Sequence, residues 1–148
     1  MAKDTVLEEL ISSNIKFMVN GKECTISPSE IPSDLSLARY LREYLHLTGT
    51  KISCNQGGCG ACTVAAAWFV ETCNIKYKSL NSCITPVLSC GGWSILTVEG
   101  LASGQRGTLN PVQERLAAFH GSQCGFCTPG MVMQMCSYLE KTSNDHAR

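Results

Sequence analysis

No stretch of this 148-residue chain approaches the ~20 consecutive apolar residues of a membrane-spanning helix, so no transmembrane segment is expected. The opening residues, Met1 to Asn14, mix Lys3, Asp4, Glu8 and Glu9 with Leu7, Leu10 and Ile11, and lack the long apolar region of a signal peptide. Net charge is missing too. Twelve basic and twelve acidic side chains cancel and are scattered rather than blocked, which argues against nucleic acid or an anionic membrane as partner and leaves protein as the expected one. What the chain has in excess is cysteine: ten residues, in what the absence of a leader makes a reducing, cytoplasmic setting. Structural disulfides are rare there, and clustered cysteines more often bind metal. An oxidised secreted scaffold is the alternative.

A chain of this length suits one or two small domains and buries ~68 % of its unfolded surface. Residues 1–14 read as a loosely packed lead-in with a short helix over Val6 to Ile11. Ile15 to Val19, Asn20-Gly21 and Glu23 to Ile26 form the strongest short hairpin signal, two strands about an Asn-Gly turn. Cys24 falls in the second strand and needs no metal role. Leu37, Tyr40, Leu41, Tyr44 and Leu45 have helical spacing over Ser36 to Leu47, with Asp34 or Ser36 as N-cap and Gly49 as the left-handed residue that ends the helix. His46 near that end is expected at the surface. Strands are predicted over Thr63 to Val70, Ile75 to Leu80 and Ile95 to Val98. The order predicts an α+β arrangement, one helix covering a mixed sheet, and fits a β-grasp ferredoxin.

Glu99 to Gly107 shifts to glycine, serine and glutamine and reads as a linker. Asn110-Pro111-Val112-Gln113 then carries an N-cap, a proline at the first helical position and the glutamine of a capping box; Val112, Leu116 and Phe119 form the predicted buried stripe, and the helix ends near His120-Gly121. Thr128-Pro129 starts another helix, with Val132, Met135, Cys136 and Leu139 on one face.

Two cysteine motifs carry the chemistry. Cys54, Cys59 and Cys62, spaced C-x4-C-x2-C on a loop with Gly57, Gly58 and Gly60, match the first three ligands of a plant-type [2Fe-2S] centre. The glycines allow the backbone to curl around inorganic sulfide and aim N–H groups at it. The fourth thiolate is open among Cys73, Cys83 and Cys90, with Cys83 favoured because a turn after an apolar run can fold back onto the loop. Cys124 and Cys127 form a second C-x2-C pair, and Cys127 at a helix N-terminus sits where partial positive charge favours a thiolate. The main rival is one zinc ion on Cys59, Cys62, Cys124 and Cys127, but about sixty residues separate those pairs against the ~12 to 20 of common zinc modules, and Cys54 is left over. A thioredoxin-like dithiol at Cys124 and Cys127 lacks the strand it needs, and His120 alone does not make a mixed Cys/His site.

Thr48-Gly49-Thr50-Lys51, Gly57-Gly58-Cys59-Gly60-Ala61-Cys62-Thr63-Val64, Asn81-Ser82-Cys83, Thr97-Val98-Glu99-Gly100 and the run Gly121 to Gly130 together resemble the N-terminal iron-sulfur region of the molybdenum hydroxylases, xanthine dehydrogenase and aldehyde oxidase. The resemblance covers Ile15 to Leu139. It implies a β-grasp [2Fe-2S] ferredoxin-like domain over 15–100 with Cys54, Cys59, Cys62 and Cys83 as ligands, a linker over 101–109, and a helical domain over 110–148 with a second centre. It also implies electron flow from molybdopterin to FAD, both on other domains of the parent enzyme, with Gln123 beside the pterin, and it allows a homodimer of the full-length protein.

The family's second centre requires a later Cys-x-Cys pair that does not occur here, so Cys124 and Cys127 supply an incomplete set, and Cys136 on an apolar face is a poor substitute. The sequence therefore predicts a C-terminally truncated chain with half of a four-helix bundle, Val132, Met135 and Leu139 exposed, and no complete substrate site. A zinc-bound interaction module and an inactive truncated isoform are the alternatives. Purine and aldehyde substrates are not distinguished.

Overall fold

The computed structural model describes residues 13–69, 75–101 and 109–145. The expected helix at Val6 to Ile11, Cys73 and most of the expected linker lie outside the described residues. Five strands, β1 (Ile15–Val19), β2 (Lys22–Ile26), β3 (Thr63–Phe69), β4 (Ile75–Asn81) and β5 (Trp93–Leu96), form one sheet in the order β2-β1-β5-β3-β4. Only β1 and β5 run parallel; the other neighbours are antiparallel. The hairpin forms about Asn20 and Gly21, both at positive φ as its turn requires. The last strand is displaced from expectation: β5 begins at Trp93, whose ring packs on Trp68 across the pair, and Val98 already opens the short helix α2 (Val98–Leu101).

One face of the sheet carries the main core. Phe17, Val19, Ile26, Val64, Ala66 and Ile95 meet Leu37, Tyr40 and Leu41 from the covering helix. That helix starts at Leu37 with Ser36 as N-cap, its hydroxyl accepting from the N–H of Arg39. It runs as α1 (Leu37–Arg39) and then as a π-helical turn over Tyr40–Tyr44, so it ends earlier than the spacing predicts. The left-handed residue falls at His46, φ 57, which is exposed, and Gly49 serves a different purpose described below. The wide turn lets Arg42 reach forward, its guanidinium donating to the carbonyls of Thr48 at 2.9 Å and Thr50 at 2.8 Å.

β3 is buried on both faces. Val64 and Ala66 belong to the main core, while Ala65 and Ala67, alternating with them, face the other side. There the long helix α4 (Thr128–Asp145) lies against β3 and β4. Among its residues up to Leu139, Gly130, Val132, Met133, Cys136 and Ser137 are buried, whereas Met135 and Leu139 point outward. The expected face is thus rotated toward Met133 and Ser137, and Val132 is not exposed. α3 (Pro111–Ala118) has the predicted cap: Asn110 accepts from Val112 N–H at 2.9 Å and Gln113 reaches back to Asn110 N–H at 3.0 Å. Its predicted buried stripe does not form. Val112 and Leu116 are half-buried and Phe119 is 80 % exposed.

Candidate metal centre

The first cysteine motif is a loop between α1 and β3, and three sets of hydrogen bonds close it. Ser82 donates from Oγ to the Cys62 carbonyl at 2.6 Å, and its N–H reaches the same oxygen at 3.3 Å. Asn81 Nδ2 donates to the Gly57 carbonyl at 2.6 Å. Thr63, the first residue of β3, donates from Oγ1 to the Gly60 carbonyl at 2.7 Å. The end of β4 therefore grips the loop, and the next residue, Cys83, is brought to Cys62. The segment carrying Cys83 is held from behind by α1: Leu37 N–H donates to Thr85 at 2.7 Å, Ala38 N–H to Ser82 at 3.0 Å, and Val87 N–H to Leu35 at 2.9 Å. Asn81 and Ser82 stand in the sequence as part of the Asn81-Ser82-Cys83 motif, and the structure adds their role, holding the loop against which Cys83 is placed.

The loop is shaped by Asn55, Gly57 and Gly60 at positive φ, whereas Gly58 is not. Gly57 has a second reason to lack a side chain, since a Cβ there meets Ile84 Cδ1 at 2.7 Å. The backbone turns N–H groups onto Cys54: those of Gln56 and Cys59 both approach its sulfur at 3.4 Å. These N–H dipoles, with the Cys59 thiol and the Gly58 N–H adding to them, pull the Cys54 thiol down to about 6. Cys83 goes the other way. Burial pushes it up to about 11, reinforced by its hydrogen bond with Cys62 and the charges of Cys62 and Cys54, and opposed by the Gly57 N–H.

These interactions place the four thiols within reach of one another: Cys59 beside Cys54, and Cys83 beside both Cys62 and Cys54. Among the described residues no three His, Cys, Asp or Glu side chains converge as one metal ion requires. Two thiolates for each of two irons is instead the donor set of a binuclear cluster, so the residues present fit a [2Fe-2S] group better than a single ion. Cys62 is buried beside Cys83, whereas Cys124 and Cys127, its partners in the alternative zinc set, are exposed, and among the described residues these side chains do not converge.

The other cysteines separate clearly. Cys90 is fully buried in the 3-10 turn Val87–Cys90, and burial pushes its thiol up to about 12. Cys24 lies in β2 opposite Phe17, raised by burial beside Tyr40. Cys124 and Cys127 are exposed on the turn before α4, which begins at Thr128, so Cys127 immediately precedes the helix. Gln123 is exposed next to them. Cys136 is buried and within 3.5 Å of Asn110 Oδ1, away from that turn. His46 and His120 are exposed.

A mixed sheet gripping a loop of paired thiols defines an iron-sulfur electron-transfer protein of ferredoxin-like fold. A family model described as "2Fe-2S iron-sulfur cluster binding domain" matches residues 17–88, and one described as "[2Fe-2S] binding domain" matches residues 97–148. The chain is 50 % identical over 132 residues to xanthine dehydrogenase of Calliphora vicina, covering 88 % of this chain and 10 % of that protein. It is 48 % identical over 124 residues to aldehyde oxidase 1 of Oryctolagus cuniculus, covering 83 % of this chain and 9 % of that protein. Among solved structures, quinoline 2-oxidoreductase from Pseudomonas putida 86 superposes with a TM-score of 0.72 at 37 % identity, over 87 % of this chain and 71 % of that one. The chain belongs to the molybdenum hydroxylase family, as its N-terminal iron-sulfur region. It spans about a tenth of the length of the curated relatives it matches. Among the described residues no helix is long and apolar enough to cross a membrane.

Proposed function

We propose that this chain relays single electrons through a [2Fe-2S] centre that Cys54, Cys59, Cys62 and Cys83 would hold. The observation that carries the reading is the grip of Asn81 and Ser82 on the loop, which brings Cys83 in beside buried Cys62 and close to Cys54. A bound cluster supplies reversible one-electron chemistry; the protein supplies its environment. The N–H groups of Gln56, Gly58 and Cys59, aimed at Cys54, stabilise negative charge on that side of the site and favour the reduced state. Burial of Cys62 and Cys83 excludes water from the other side.

Within a parent enzyme of the xanthine dehydrogenase and aldehyde oxidase kind, the relay runs from molybdopterin to FAD, each on a further domain, in the cytoplasm, with Gln123 at the pterin side. Residues 15–100 form the ferredoxin-like unit, 101–109 the connection and 110–148 the helical unit, in keeping with the two matched ranges. Cys124 and Cys127 hold a second centre only where two further thiolates are supplied, because Cys136 is buried beside Asn110. The test is iron, acid-labile sulfide and EPR on anaerobically purified chain. About two irons and two sulfides with a rhombic signal on reduction support the reading. Stoichiometric zinc without sulfide overturns it. Cys83→Ser should abolish the signal, while Cys90→Ala should keep it.

A further inference from the structure

Gly130 sits in the first turn of α4, three residues after the second cysteine pair, and is buried. A Cβ on it overlaps the Gly60 carbonyl oxygen and approaches Ala61 Cα at 3.1 Å and its carbonyl carbon at 3.2 Å. Gly60 and Ala61 are the two residues between Cys59 and Cys62. The contact is therefore backbone against backbone, with no flexible side chain to yield. Its continuation along the helix is Met133, 1 % exposed, and Ser137, 5 % exposed, at the spacing of a single face. The approach is fixed rather than incidental: Gly60 is tied by Thr63 through both N–H and Oγ1, so the loop cannot retreat from the helix without breaking those bonds.

From this we infer that Gly130 is a positioning residue for the first centre: lacking a Cβ, it lets the helix leaving Cys127 form one wall of the Cys59–Cys62 loop and sets the separation of the two cysteine motifs. The inference rests on the ligand reading above. Local helix physics predicts the opposite sign for a change here, since alanine is the better helix former. That opposition makes the role testable.

The experiment uses the full chain with its cluster reconstituted, after iron and sulfide have been measured; absence of a cluster at that stage counts against the ligand reading and not against the role of Gly130. In unmutated, reduced protein, the amide NMR signals of Gly130 and Met131 should be broadened beyond detection by the paramagnetic cluster, while those of exposed Glu114 and Arg115 on α3 remain. Sharp signals from Gly130 and Met131 would overturn the inference without any variant. Gly130→Ala should then shift the EPR g-values and speed chelator-driven loss of the visible absorbance severalfold, with Met131→Ala, on the neighbouring exposed position, unchanged. A Gly130→Ala protein with unchanged g-values and chelator resistance would equally overturn it.

Discussion

The carboxylate of Glu99 accepts the backbone N–H of Gly49 at 2.7 Å, joining the end of the sheet to the approach of the cysteine loop across 50 positions of chain. Its other oxygen accepts the hydroxyl of Thr97 at 2.6 Å, and Thr97 in turn exchanges two hydrogen bonds with Asn20 at the hairpin tip, each 2.9 Å. Val98 passes the connection on, its carbonyl accepting from Gln113 of the α3 capping box at 3.4 Å. The Glu99 side chain thus links the hairpin, through Thr97, to the approach of the cysteine loop, and the backbone of the adjacent Val98 adds the helical region. Glu99→Ala leaves the fully buried Thr97 hydroxyl and the Gly49 N–H without their acceptor, at a cost of about 1–3 kcal/mol. Glu99→Gln can still accept from Gly49 but turns an amide donor toward the Thr97 hydroxyl, so its loss should be smaller. Urea unfolding of the cluster-loaded chain measures both; equal stability of Glu99→Ala and the parent would rule the link out.

Gly49 supplies the space for that link. A Cβ there meets Glu99 Oε1 and Val98 Cγ1 at 2.6 Å each. Gly49→Ala should therefore destabilise the parent, and should cost less in a Glu99→Ala background, where the carboxylate is gone. The double-mutant cycle is expected to deviate from additivity by at least about 0.5 kcal/mol. Additive behaviour would mean that the penalty arises from Val98 or the backbone and not from the carboxylate.

What could be read in advance followed local chemistry. The Asn20-Gly21 hairpin, the Asn110 capping box and the Cys54, Cys59, Cys62 loop each depend on residues within a few positions of one another, so the sequence displays them directly. Relationships that depend on packing were not displayed. Gly49 has the composition of a helix terminator, yet the π-helical turn ended the helix first, placed His46 at positive φ and left Gly49 to admit a carboxylate from Glu99. The α4 face differs from the expectation for a related reason: periodicity marks apolar residues, whereas the face that meets the sheet is set by how closely the backbones approach, so Gly130 and Ser137 lie inside with Met133 and Leu139 lies outside. Cys83 lay between. Spacing left it among three candidates; Ser82 at 2.6 Å from the Cys62 carbonyl shows how the fold brings it to the loop.

Thiol reactivity in the cluster-free chain should follow the same geometry. Cys54, lowered to about 6 by the N–H groups around it, is mostly thiolate at neutral pH; its alkylation should stay fast above pH 6 and slow as pH falls through that value. Cys83, raised to about 11 by burial and its thiol neighbours, and Cys90, raised to about 12 by burial, remain protonated throughout that range and should react last. Iodoacetamide labelling at pH 5 to 8, read residue by residue by mass spectrometry, gives the order. Labelling of Cys90 ahead of Cys54 at pH 7 would contradict the description of the loop.

The outward surface of the helical region should govern association. Phe119 at the end of α3, Phe126 in the second cysteine turn, and Met131, Met135, Tyr138 and Leu139 on α4 are all exposed, and apolar surface grouped in this way drives self-association. Met135 and Leu139 are four positions apart, so Met135→Glu with Leu139→Lys replaces two apolar groups by a favourably oriented ion pair on the same helix. Neither position is part of the face buried on β3 and β4, and fold stability should change by no more than about 0.5 kcal/mol. Sedimentation velocity across a concentration series should show the parent chain associating and the double variant remaining monomeric. If both associate alike, the contact lies instead at Phe119 and Phe126, and Phe119→Ser is the variant that should release it.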